Sequence, residues 1–348
     1  MKKFVLLLTF NVIVIAAFSQ VGNLSIDEIY KNYRDSISKS EYPWHLPILG
    51  GKLREMGFDL PYPNGFMITY GRSSQHLMID DISVGFSADK MTDVSRLARF
   101  NGVDADVNAL IVKYDFYILP FLNVFGLAGR IESTSDVNLG LPFEMTFQTK
   151  ASASTSVGWG FIVAGGIGPI VLASNFVQNW TFVSSLDEPA TSINVDARVG
   201  YMARFRKRPD RNIVFLVGAN YLGVNENSTG KLNLEKVVGI TPDKKQIASE
   251  QLDGWYGDLT DPGKEIFGGL YDGLSGWLNN DEPVNLHYDF NKRLYYPLSM
   301  TLGANFQLNP RYQFNAIYTF LGSRQQFTFG ISYRFGFKGK NYLRGMTL

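Results

Sequence analysis

Eleven charged residues stand on the polar sides of segments that alternate between apolar and polar: Lys113, Asp115, Arg130, Glu132, Asp196, Arg198, Arg204, Arg206, Asp289, Arg293 and Arg334. Residues two apart share one side of an extended strand. Charges placed so can pair with one another, or they can line a path for ions, with the Arg198, Arg204 and Arg206 group favouring anions. Catalytic sets are thinner. His287 and Asp289 share a strand face and Asn305 sits across a hairpin, but the nearest serine, Ser299, is several residues along. Lipid hydrolysis needs a nucleophile, a base and a group that orients the base. His76 follows Ser73-Ser74 in a segment that reads as a loop. The acids lack the paired spacing of glycoside hydrolysis. Asp253, Asp258 and Asp261 lack the spacing of a calcium loop, and no glycine-rich nucleotide loop opens a helix. Zero cysteine excludes thiol chemistry and disulfides, and three histidines leave little for a metal. No cofactor is expected. A net charge of +1 argues against a nucleic-acid partner.

The elements that must position these charges are strands. In 327–337, Phe327, Phe329, Ile331, Tyr333, Phe335 and Phe337 fall on one side, and Thr328, Gly330, Ser332, Arg334 and Gly336 on the other. Residues 298–309, 195–206, 312–320 and 284–294 alternate in the same way. These runs reach about ten residues, the length that spans a membrane rather than the ~5–6 of a soluble strand. Aromatic residues gather at their ends (Tyr295, Tyr296, Tyr312, Tyr318, Tyr333), as at the two membrane interfaces. Fourteen such segments are readable between 64 and 337, with 76–88 and 284–294 among them. The chain is read as all-β, a transmembrane antiparallel β-barrel of 12–14 strands, with a short N-terminal helix and an inserted amphipathic helix near 262–278. A two-sheet sandwich shows the same alternation; strand length and aromatic-rich apolar faces favour the barrel.

Lys2 and Lys3, the apolar run to Phe18, and Ala17-Phe18-Ser19 form a signal peptide over 1–19. Its removal would leave a net charge of −1. Residues 157–173 are apolar, but Gly165, Gly166, Gly168 and Pro169 would break a helix and suit two joined strands.

With the leader, the long alternating strands and the terminal 327–337 strand in view, the sequence resembles Gram-negative outer-membrane β-barrel proteins. The resemblance covers most of the mature chain as a pattern. It implies an outer-membrane location and, more weakly, transport. The eleven residues 338–348 after Phe337 depart from members that end on the aromatic.

Two segments lie outside the barrel pattern. Residues 20–63 hold a helix at 25–37, with a Ser25/Glu28 capping box and a Leu24/Ile29 staple, docked on the periplasmic mouth or inserted as a plug. Residues 91–100 are a short amphipathic candidate. Residues 241–283 carry nine acids against three bases. In them Asp261-Pro262 starts a helix whose apolar face includes Phe267, Leu270, Tyr271 and Trp277. Counting strands back from a periplasmic C-terminus puts this segment on the periplasmic side or in the lumen, as a plug or docking element.

The reading that follows is a barrel, not an enzyme, passing a small solute or hydrophobic compound through a partly plugged polar lumen. Lys113, Asp115, Arg130, Asp196, Arg198, Arg204, Asp289, Arg293 and Arg334 would line that lumen, as selectivity groups or as structural ion pairs. The alternative is a non-transporting scaffold that docks a periplasmic or secretion partner. A third reading is an outer-membrane lipid hydrolase. Outer-membrane lipid, an unknown small solute and a periplasmic protein are the expected partners.

Overall fold

The computed structural model describes residues 28–337 except 96–99, 140–144, 185, 206–207, 225–226, 234–241 and 281–284. The leader 1–19, the residues Leu24 and Ser25 of the helix start, and the 338–348 extension lie outside the described residues.

Thirteen strands pair in one antiparallel sheet. They are β1 (Asn64–Ser87), β2 (Lys90–Asp93), β3 (Phe100–Leu119), β4 (Leu122–Leu139), β5 (Met145–Ile167) and β6 (Ile170–Phe182). There follow β7 (Ala190–Phe205), β8 (Arg208–Val224), β9 (Asn227–Asn233), β10 (Asn285–Leu294), β11 (Leu298–Gln307), β12 (Tyr312–Phe320) and β13 (Arg324–Phe335). Among the described residues four helices accompany them: α1 (Glu28–Ser38), α2 (Gly50–Glu55), α3 (Pro242–Gly257) and α4 (Asp261–Asn280).

The ring runs β1-β3-β4-β5-β6-β7-β8-β11-β12-β13 and closes where β13 pairs with β1, from Asn64 opposite Phe335 to Gln75 opposite Arg324. It has ten strands, fewer than the twelve to fourteen expected. The difference has a topological cause. Residues 76–88 are the continuation of β1, not a new strand, and β2, β9 and β10 pair beyond the ring on that continuation. Met91–Asp93 extend as strand β2 where an amphipathic helix was expected.

The two ends differ. At one end β3–β4 and β5–β6 turn in two residues each, and β11–β12 in four. Gly168, at φ 60°, makes the β5–β6 turn with Pro169, the split expected within 157–173. Asn309 makes the β11–β12 turn by accepting from the backbone N–H groups of Arg311 and Tyr312 at 2.8 and 2.9 Å. At the other end the chain between β8 and β11 carries β9, α3, α4 and β10.

Strand β1 outruns its neighbours at this long-loop end. A bulge between Asp80 and Ser83 shifts its register against β10. Asp81 sits there at φ 51°, and its carboxylate accepts from Asn291 at 3.1 Å. One extra residue on a strand turns the following side chains to the other face. Below the bulge the odd-numbered residues of β1 face the barrel interior. Above it Ile82 joins Val84 and Phe86 on the continuation of that same face. Helices α3 and α4 pack there: Ile82, Val94, Ala248, Leu252, Leu270, Leu274, Trp277 and Leu278 are buried together against Ile79, Val84, Phe86, Leu286 and Phe290. Gly273 permits the contact, because a Cβ there would come within 2.0 Å of the Phe86 ring. The inserted helix forms as expected, with Leu270 and Trp277 buried and Phe267 and Tyr271 at its edge. Its place is corrected: it packs on the sheet extension beyond the long-loop end, opposite the end that holds Asn64 and Phe335. Backward counting failed because β10 pairs with the β1 continuation and does not cross the barrel.

Candidate functional site: the barrel interior

Alternation sorts the ring into two faces. Outward stand Phe66, Ile68 and Tyr70 on β1, Leu110, Val112 and Tyr114 on β3, Phe215 and Val217 on β8, and Leu298, Met300 and Leu302 on β11. Phe327, Phe329, Ile331 and Tyr333 do the same on β13, where the sequence pattern put them. Each of these side chains leaves a large part of its surface uncovered by protein. A continuous apolar girdle of this extent is untenable in water, and a closed ring leaves no unpaired backbone edge inside a bilayer. The protein is a closed antiparallel β-barrel with the outward face of a membrane-spanning one.

Inside the barrel the polar side chains form two layers. Near the short-turn end, the carboxylate of Asp115 accepts from Arg334 Nη2 at 2.9 Å and Asn123 Nδ2 at 2.6 Å. Arg334 Nε donates to the Tyr62 carbonyl at 2.9 Å, and its guanidinium lies 4.8 Å from the Tyr117 ring centre. Lys113 Nζ rests 4.7 Å from the Phe125 ring centre. Gly65 is in register with both Asp115 and Arg334; a Cβ there would meet the Asp115 carboxylate at 2.9 Å. The glycine leaves room for the two side chains to meet over β1. Asp115 is 2% exposed and Arg334 4%.

The second layer lies towards the long-loop end. Asp196 Oδ2 accepts from Arg198 Nη2 at 2.7 Å and from Asn175 Nδ2 at 3.1 Å. Asn220 donates to Asn194 Oδ1 at 2.7 Å and accepts from Arg324 Nη2, which crosses from the far side of β11 and β12. Arg324, Asn175 and Asn220 were not singled out from the sequence. Their signal was parity: Arg324 shares the inward face with Thr328, Gly330 and Arg334, but it begins its strand and reads as a loop residue.

Of the nine expected lining residues, Lys113, Asp115, Asp196, Arg198 and Arg334 face the interior, and Arg204 does so at the short-turn mouth. Arg130 does not. It pairs in register with Leu110 on the outward face, beside Glu132 at 3.7 Å. Asp289 and Arg293 do not either. They belong to β10 beyond the ring, where Arg293 Nε meets Asp80 at 2.8 Å in an exposed pair. The hydrolytic grouping is likewise separated. His287 pairs with Gly85 and Lys231 in the outer sheet, while Asn305 and Ser299 lie in β11 of the ring. His76 is in strand β1, and its Nδ1 lies 2.8 Å from Asp104 on the exposed face.

The N-terminal segment covers the short-turn mouth. Trp44 packs edge-on to Tyr62 at 5.5 Å and lies against Gly336, and Ile48 N–H donates to the Ile118 carbonyl of β3 at 2.9 Å. Across the ring, α1 meets β8. Strands β3 and β8 are five places apart in a ring of ten, so the segment crosses the opening. Tyr33 donates to Asp59 at 2.8 Å, and Tyr42 to the Leu46 carbonyl at 2.6 Å. Burial, with the Asp59 charge adding to it, raises the Tyr33 hydroxyl, and burial pushes Tyr42 up to about 12. Both tyrosines therefore stay protonated donors at neutral pH.

No protein-family model matches the chain, and no curated protein matches its sequence. Among solved structures it is similar to the β domain of the Bordetella autotransporter BrkA (8% identity, TM-score 0.35), covering 79% of this chain and 100% of that one. It is also similar to OprG from Pseudomonas aeruginosa (10% identity, TM-score 0.33), covering 80% of this chain and 100% of that one. A third is the protease OmpT from Escherichia coli (9% identity, TM-score 0.28), covering 80% and 99%. The reading as a membrane barrel rests on the chain's own closed ring and apolar girdle.

Proposed function

We propose that this barrel does not conduct, and that it serves as an outer-membrane scaffold holding the α3–α4 hairpin beyond one mouth for a protein partner. The observation that carries the reading is the buried Asp115–Arg334 layer, which water hardly reaches and which lies beneath the N-terminal segment. Barrels only slightly narrower than ten strands have interiors just filled by side chains. Outer-membrane barrels keep short turns in the periplasm and long connections outside, so on this reading the hairpin stands at the cell surface and the N-terminal segment in the periplasm. The partner would meet Asp243, Glu250 and Asp253 on α3 and Asp258 just after it, all of them exposed. Lipid would cover the outward girdle. The separation of His287 from Asn305 and Ser299 leaves the hydrolase reading without its grouping.

Single-channel recording of the mature protein in a planar bilayer tests the reading. Silence of correctly folded, heat-modifiable protein is the expected result. Discrete open steps would overturn it and return the interior to solute passage.

A further inference from the structure

The two interior layers have the same charge but not the same satisfaction. Each sets two cations about one carboxylate: Lys113 and Arg334 about Asp115, Arg198 and Arg324 about Asp196 and its register partner Asn220. In the first layer Lys113 rests on an aromatic face, and Arg334 is held by Asp115 and the Tyr62 carbonyl. In the second, Arg198 Nε, Thr301 Oγ1 and Asn175 Oδ1 are buried without hydrogen-bond partners among the described residues, against Asn123 Oδ1 alone in the first. Register brings the first two together, because Arg198, Gly218 and Thr301 form one row across β7, β8 and β11. A Cβ on Gly218 would come within 2.8 Å of Arg198 Cγ, so the glycine lets the arginine lie across β8 towards Thr301. Thr301 itself is 1% exposed.

Buried polar groups are partnered as a rule, and a buried cation asks for a counter-charge. Arg198 Nε and the Thr301 hydroxyl offer two donors beside a surplus positive charge, while Asn175 Oδ1 is an acceptor that asks for a donor. A halide answers only the donors. A protonated oxyanion answers both, through its oxygens and its own O–H. We propose that the interior layer at Asp196, Arg198, Thr301 and Arg324 binds a hydrogen-bearing oxyanion of the phosphate class.

The test uses the full mature chain refolded into detergent with inorganic phosphate, sulfate or chloride at matched ionic strength and pH 7. The readout is the temperature at which the compact, fast-migrating form is lost. Phosphate is expected to raise that midpoint by roughly 3–5 °C at ten times its dissociation constant. Thr301→Val, which keeps shape and removes the hydroxyl, is expected to lose most of the rise. Lys113→Met, in the other layer, is expected to keep it. No rise with phosphate, an equal rise with sulfate or chloride, or an undiminished rise in Thr301→Val would each overturn the proposal.

Discussion

Strand β1 passes through two environments, and its two halves answer them in opposite ways. From Asn64 to Gln75 its apolar side chains, Phe66, Ile68 and Tyr70, point away from the ring axis, while Gly65 and Ser73 point inward. From Ile82 to Phe86 the apolar side chains lie on the continuation of the inward face, under α3 and α4. The even-numbered positions are apolar in both halves. What changes is the face they occupy, and the bulge at Asp81 changes it. One residue converts a lipid-facing ladder into one wall of a water-soluble core. Below it the solvent for apolar groups is the bilayer; above it, it is a pair of helices.

Removing the bulge should erase this contrast most completely. Deletion of Asp81 would turn Ile82, Val84 and Phe86 away from the helices, and the hairpin should lose its packing outright, a loss above about 4 kcal/mol. Limited proteolysis should then cut within 242–280 while the barrel remains heat-modifiable. Continued protection of that segment would show that the flip is not what seats the helices. A substitution in the lower half should do the reverse. Arg334→Met strips the buried Asp115 carboxylate of its ion-pair partner and leaves it Asn123 as its donor, a loss of about 3–5 kcal/mol. Urea unfolding of the barrel should report it, with hairpin protection unchanged. Pairing the substitution with Asp115→Leu should restore much of the stability; a double variant as weak as the single one would assign the loss to packing and not to charge. The smallest effect belongs to the join between the halves. Arg293→Ala removes an exposed pair with Asp80, and a change within about 1 kcal/mol is expected. A larger fall in hairpin protection would mean that the pair fixes the bulge.

The barrel was readable because strand alternation is a local property. Residues 298–309 and 327–337 needed no partner to declare which side is apolar, and their inward and outward faces are those expected. Arg334 and Asp115 were legible as interior groups for the same reason, although nothing local says that they meet, 219 residues apart. The strand count failed because a continuous strand and a turn-broken one look alike where His76 to Ser87 keeps alternating. Asp289 and Arg293 were misplaced with it, since alternation marks a face without saying whether lipid, lumen or a helix lies against it. Arg130 failed for a related reason: on β4 the outward face turns charged at Arg130 and Glu132, so polarity there does not mean interior. Thr301 and Gly218 carried no visible signal, because their importance lies in a row across three strands.

The ring closes between its first and last strands, with Asn64 opposite Phe335. Until β13 is delivered, β1 and β12 each present a bare edge of unpaired N–H and C=O groups. Such edges recruit other chains, and a contact that spans nearly the whole sequence forms late in folding. This protein's exposure to misassembly is therefore concentrated in one interval, between the emergence of β12 and the docking of β13, and a chain truncated before Arg324 would be held in that interval permanently.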